Sequence, residues 1–142
     1  MDVEDLVRAY LLADATIANL VGNRIGPAPP PQGSTYPLIT TQLISNVQSP
    51  HLRQRGPGLA EPRYQVDCWA TSKAELKRLT RAVQHRLQGF IGHLTDTTVS
   101  PGVPHWIWIR YETGQDSFEQ DVSGGYWRRS DDYFIGHQGT AA

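Results

Sequence analysis

Residues 62–90 read PRYQVDCWATSKAELKRLTRAVQHRLQGF, and this stretch decides the fold. Its first part alternates. Tyr64, Val66 and Cys68 fall on one side and Arg63, Gln65 and Asp67 on the other, the period of two of a half-buried strand. Then the period changes: Leu76, Leu79, Val83, Leu87 and Phe90 recur at threes and fours, one stripe of a helix. Ser72 and Glu75 have the spacing of a reciprocal capping box. Gly89 stands where a helix end favours a left-handed residue. A strand running straight into an amphipathic helix predicts that Leu79 and Val83 pack on Tyr64, Val66 and Cys68.

Towards the N-terminus, Val3, Leu6, Val7, Tyr10 and Leu11 share a helical face, with Asp2, Glu4 and Asp5 near its positive end. Asp14 reads as the N-cap of a short second helix over 15–21, which buries Ile17 and Leu20 and stops at Gly22. Arg24-Ile25 reads as a very short strand. Residues 27–31, PAPPP, form a stiff extended connector. Residues 38–44 form a strand with apolar residues on both faces, which predicts cover on both sides, at least in an assembly.

Beyond it, 47–61 reads as a long loop carrying His51, Arg53 and Arg55 between Pro50 and Pro57. It joins strands 38–44 and 63–69, expected to pair as an antiparallel hairpin, so most of it is surplus to the connection and can project as a basic arm. Residues 91–104 read as another loop. In the strand 106–111, Trp106 and Trp108 oppose Ile107, Ile109 and Tyr111. The polar, acidic stretch 112–125 reads as a loop ending in the turn signal Gly124-Gly125. Strand 126–135 places Trp127, Tyr133 and Ile135 on one face, and the tail over 137–142 is expected to fray.

The expectation is therefore one α+β domain over 1–142. Helices occupy 1–22, and a sheet with helix 72–88 occupies 36–136. A small antiparallel sheet of about four strands packs against two main helices, with long loops between.

Leu, Ile, Val and Phe supply 32 of 142 residues, just above the ~20% below which chains tend to stay disordered. Long loops on so thin a core suit a subunit that completes its packing against neighbours. A net charge of −1 gives no global basic field for nucleic acid or an acidic membrane. There is no apolar run near ~18 residues and no signal-peptide pattern, so no membrane contact is expected. One cysteine makes no internal disulfide.

Catalytic chemistry finds no footing. The five histidines lack metal-ligand spacing, and a single Cys removes every zinc-ribbon option. Asp131 and Asp132 are adjacent, so on a strand they point to opposite faces. No nucleophile elbow or phosphate-binding glycine loop is present. No catalytic residue, cofactor or metal is expected.

Charge is segregated instead. Residues 72–88 hold Lys73, Lys77, Arg78, Arg81 and Arg86 against Glu75. Residues 112–132 hold six acids against Arg128 and Arg129. A solvated face and weak phosphate binding are two readings. The third sets the basic face of one subunit against the acidic segment of the next. The candidate interface residues are His51, Arg53, Arg55, Lys77, Arg78, Arg81, Asp116, Glu119 and Asp121.

An ordered set of motifs carries a resemblance. It comprises Leu11-Leu12-Ala13-Asp14 running to Leu20-Val21-Gly22-Asn23-Arg24-Ile25, then YPLIT at 36–40, RYQVDCWA at 63–70 with the helix to Phe90, and GGYWRRSDDYFI at 124–135. Together they resemble the tail-completion, or tail-terminator, family of long-tailed phages and phage-derived particles. The resemblance implies a homo-oligomeric ring, commonly of six, at the head-proximal end of the tail. Such a ring stops tube polymerisation and joins the head connector. The implied partners are the tail-tube protein and a head–tail connector or head-completion protein, with DNA passing unread through the channel. The implied location is the virion tail or neck, after synthesis in the host cytoplasm. Another neck component, such as a head-completion or adaptor protein, and a non-viral binding module are the alternatives.

Overall fold

A computed structural model describes residues 2–31, 33–45, 59–60, 62–121 and 124–138. In chain order the elements are α1 (Val3–Leu12), α2 (Ala15–Val21), β1 (Ile25–Pro27), β2 (Leu38–Ser45), β3 (Leu59–Ala60), β4 (Arg63–Ala70), α3 (Lys73–Leu87), β5 (Ile91–Asp96), β6 (Val103–Asp121) and β7 (Gly124–Gln138). The strands form one sheet in the order β1-β2-β4-β7-β6-β5, and β3 pairs with β7. β1 lies parallel to β2, and every other pairing is antiparallel.

The strand-to-helix switch stands where the sequence places it. β4 ends at Ala70 and Ser72 caps α3, its hydroxyl accepting from the Glu75 N–H at 3.2 Å. The full reciprocal box forms at α1 instead. There Asp2 accepts from the Asp5 N–H at 2.9 Å and Asp5 accepts from the Asp2 N–H at 3.4 Å. Asp14 caps α2, and Gly22 and Gly89 take the left-handed φ values of 63° and 77° that end α2 and follow α3.

All three helices lie over one face of the sheet. Leu76, Leu79, Val83 and Leu87 of α3 share a single buried core with Leu6, Leu11 and Ile17 of the N-terminal helices. The sheet contributes Ile39, Tyr64, Val66, Cys68, Ile107, Ile109, Tyr133 and Ile135. Arg86 ties the two long helices together. Its Nε donates to the Tyr10 carbonyl at 3.1 Å, its guanidinium lies 3.8 Å over the Tyr10 ring, and the Tyr10 hydroxyl donates back to the Arg86 carbonyl at 3.1 Å.

The sheet is larger than expected: seven strands rather than about four, with three helices among the described residues. Within residues 91–104, only 97–102 is a loop; it joins β5 to the start of β6. The acidic stretch 112–125 is not a loop. It is the outer half of the β6–β7 hairpin, paired as far as Asp121 opposite Gly124. Its ladder rests on polar and aromatic cross-strand pairs, Asp116 opposite Arg129 and Phe118 opposite Trp127, which leave no apolar period to read. His137 and Gln138 belong to β7, paired with β3, so the tail stays in the sheet through 138.

In β2, Leu38 and Ile39 are buried, but Leu43 and Ile44 remain 43% and 41% exposed, beside a register shift between Leu43 and Ser45. Within one chain only the first half of that strand is covered on both sides. β2 pairs antiparallel with β4, as the sequence predicts. Residues 46–58 of the expected arm, including His51, Arg53 and Arg55, lie outside the described residues.

Leu79 is fully buried while Ser72 is exposed. Leu79→Ala is expected to lower unfolding free energy by about 2–5 kcal/mol, and Ser72→Ala by about 1 kcal/mol. Chemical denaturation of the two variants side by side measures the difference. Equal losses would mean that α3 does not seat on this stripe.

Candidate assembly interface

α3 places its cations by helical geometry. Its buried stripe leaves Lys77, Arg78 and Arg81 exposed on one side, about a turn apart. These three side chains make no hydrogen bond or ion pair among the described residues. Lys73 differs, lying 4.9 Å over the Trp127 ring, and Arg86 is held by Tyr10. The uncompensated charge of the helix is thus the trio picked out in the sequence.

A cleft of about 200 Å³ separates α3 from the hairpin, lined by Leu76, Lys77, Thr80, Arg81 and Gln84 on one side and by Asp116 and Arg129 on the other. Beneath it lies a polar network missed in the sequence. Arg129 donates from Nε to Asp131 at 2.8 Å, from Nη1 to Asp116 at 3.3 Å and from Nη2 to the Tyr111 hydroxyl at 3.2 Å. The Tyr111 hydroxyl donates to Asp131 at 3.3 Å, and Gln84 donates to its other oxygen at 3.1 Å. The hydrogen bond from Arg129 to Asp131 is the largest influence holding the guanidinium charged. Gly114 faces this site, and a Cβ there would stand 1.9 Å from an Asp131 oxygen. Asp116 is therefore engaged within its own chain. The side chains of Glu119 and Asp121 lie outside the described residues.

The other face of the sheet carries no helix among the described residues. Near β2 it is closed by side chains alone: Trp69 donates to the Thr40 hydroxyl at 3.0 Å, and Tyr126 stacks between Trp69 and Tyr36, ring centroids 5.4 Å from each. Asp67 is buried here, and desolvation, its largest influence, pushes its carboxyl above the usual range. Asp132 pairs with Arg63. Towards β5 the same face is apolar and open, with Ile91 67% exposed and Trp106 39% exposed beside His93.

Both ends of the sheet are open. β5 covers β6 only at 103–108, and Ile109 bonds to Gly89 and Phe90. Over residues 111–121, β6 is paired on its β7 side alone among the described residues. At the opposite end β1 covers Ile39–Thr41 of β2 and leaves Gln42–Ser45 unpaired on the outside. No cluster that could hold a metal ion occurs among the described residues, and none of their helices is long and apolar enough to cross a membrane.

Among the described residues, three helices cover one face of a sheet with open edges, and exposed cations line the outer side of α3. The chain belongs to the family described as tail completion protein gp17, whose model matches residues 5–118. It is a structural protein of the virion tail, not an enzyme. Among solved structures it is similar to a chain of the virion of a native gene transfer agent particle. That similarity has a TM-score of 0.63 at 16% identity, over 96% of this chain and 95% of the other, and bears on the fold. No curated protein sequence matches it.

Removing Asp131 tests how far the hairpin depends on the buried network. Fully buried pairs cost about 3–5 kcal/mol to break. With the Arg129 side chain 25% exposed, Asp131→Ala is expected to cost about 2–3 kcal/mol. Asp116→Ala, at the more exposed end of the network, should cost under ~1 kcal/mol. Thermal and urea unfolding of both variants would reveal a reversed order.

Proposed function

We propose that this protein assembles into a ring, of six copies by the family resemblance, at the head-proximal end of the tail. The ring terminates the tail tube and joins it to the head connector. The tail-tube protein and a connector or head-completion protein are its neighbours. The observation that carries the reading is the combination, in a tail-completion protein, of a sheet open at both ends with a helix bearing three cations unpaired among the described residues. A monomeric domain gains nothing from such edges, whereas a ring subunit uses one at each junction.

Lys77, Arg78 and Arg81 are the ring contacts on α3. His51, Arg53 and Arg55 are offered as further contacts on the arm, and Asp116, Glu119 and Asp121 as contacts along the hairpin. DNA passes without recognition. At a net charge of −1, any DNA affinity is weak, sequence-blind and lost with added salt.

Sedimentation velocity of the purified protein is expected to show a closed oligomer. Arg78→Glu with Arg81→Glu should leave a folded monomer, with unchanged circular dichroism and melting temperature. In particle assembly the same variant should yield heads and tails that fail to join, or tails of irregular length. Normal infectious or transducing particles from that variant would count against the ring reading. A sequence-specific DNA complex that survives moderate salt would do the same.

A further inference from the structure

We infer that adjacent copies join by extending one sheet. The outer end of β2 in one copy (Gln42–Ser45) lies along the outer edge of β6 in the next (residues 111–121). The acidic start of α1 thereby meets the cations of α3. This rests on the ring reading and specifies its junction.

The two edges are suited to each other. They lie at opposite ends of the same sheet, so joining them is a head-to-tail contact that repeats from copy to copy. Unpaired backbone donors and acceptors on each make strand addition the natural mode. Each also carries exposed apolar side chains, Leu43 and Ile44 on β2 and Phe118 on β6.

What selects this pairing is charge on the helical face. The three described helices lie on one side of the sheet, so a continuous sheet keeps them on one side across the junction. At the free end of β2 the neighbouring helix is α1: Glu4 accepts from the Thr41 hydroxyl at 3.4 Å, and Val3 and Glu4 line a hollow with Thr41 and Tyr64. Burial pushes the Tyr64 phenol up to about 12, and the charges of Glu4 and Asp2 add to the rise. Asp2, Glu4 and Asp5 therefore form an acidic corner beside that edge. At the free segment of β6 the neighbouring helix is α3, whose Lys77 and Arg81 flank the cleft above Asp116. Setting one edge against the other brings three acids to three unpaired cations. Two β6 edges brought together would instead set the cations of one α3 beside those of another, a like-charge contact.

Charge exchange tests the junction. Lys77→Glu with Arg81→Glu, and separately Glu4→Lys with Asp5→Lys, should each abolish the oligomer in sedimentation velocity while circular dichroism stays native. One chain carrying all four reversals should assemble again. A cysteine scan locates the edge: Gln42→Cys combined with Thr113→Cys, Gln115→Cys or Ser117→Cys should give intermolecular disulfides on oxidation for at least one pairing. Cys68 stays silent, being 1% exposed with a thiol pushed up by burial.

Assembly that survives both single reversals, failure of the fourfold variant to recover, or disulfides from Gln115→Cys alone would overturn this junction. If the unaltered protein still forms rings, the ring reading survives that loss. A wild-type protein that stays monomeric at every concentration removes both.

Discussion

The seating of α3 on β4 and β7 is the constraint from which the rest of the structure follows. Only Thr71 and Ser72 separate β4 from the helix, so α3 cannot swing away and must fold back over the strand that precedes it. Its stripe of Leu76, Leu79, Val83 and Leu87 then selects which face of the sheet becomes the core. Once that face is chosen, α1 and α2 pack on the same side, locked to α3 through Arg86 and Tyr10. The opposite face carries none of the described helices. It manages burial by aromatic stacking and by hydrogen bonds such as Trp69 to Thr40.

The same helix sets the electrostatics of the hairpin. Where the apolar core ends, beyond Tyr133, β7 continues beneath α3 with Asp131 and Arg129 in place of aliphatic residues. Asp131 is 1% exposed, a position a carboxylate tolerates only with compensation. Arg129, Tyr111 and Gln84 supply it from two strands and the helix. The hairpin is thereby fastened to α3 by polar contacts rather than by a second apolar layer. Lys77, Arg78 and Arg81 on the outer side of the helix remain unpaired among the described residues.

Local signals were legible in the sequence and non-local ones were not. The β4–α3 switch, the caps at Asp14 and Ser72, the glycines at 22 and 89, and the opposed faces of 106–111 each depend on neighbours within a few residues. β5 was hidden because its inward positions are Gly92, Leu94 and Asp96, too mixed to register as alternation. The outer half of β6 was hidden because Asp116 belongs in a strand only once Arg129, thirteen positions away, is opposite it. Of the candidate interface residues, the α3 cations could be read as the gaps in an apolar stripe. The engagement of Asp116 by its own chain could not, and neither could the free edges, since an unpaired edge is visible only after every pairing is known.

The three-residue strand β1 has a consequence for how far such a subunit can polymerise. Head-to-tail contacts between identical copies either close or run on as filaments, and a long bare edge invites the second outcome. β1 occupies Ile39–Thr41 of β2 and ends on Pro27, with more prolines following at 29–31. Proline withholds a donor and resists extension of the strand. The exposed part of β2 is cut to four residues at one corner. A grip that short holds only where the helices above it also fit, which makes the angle between neighbours a property of the whole domain and stickiness at the bare edge a small hazard.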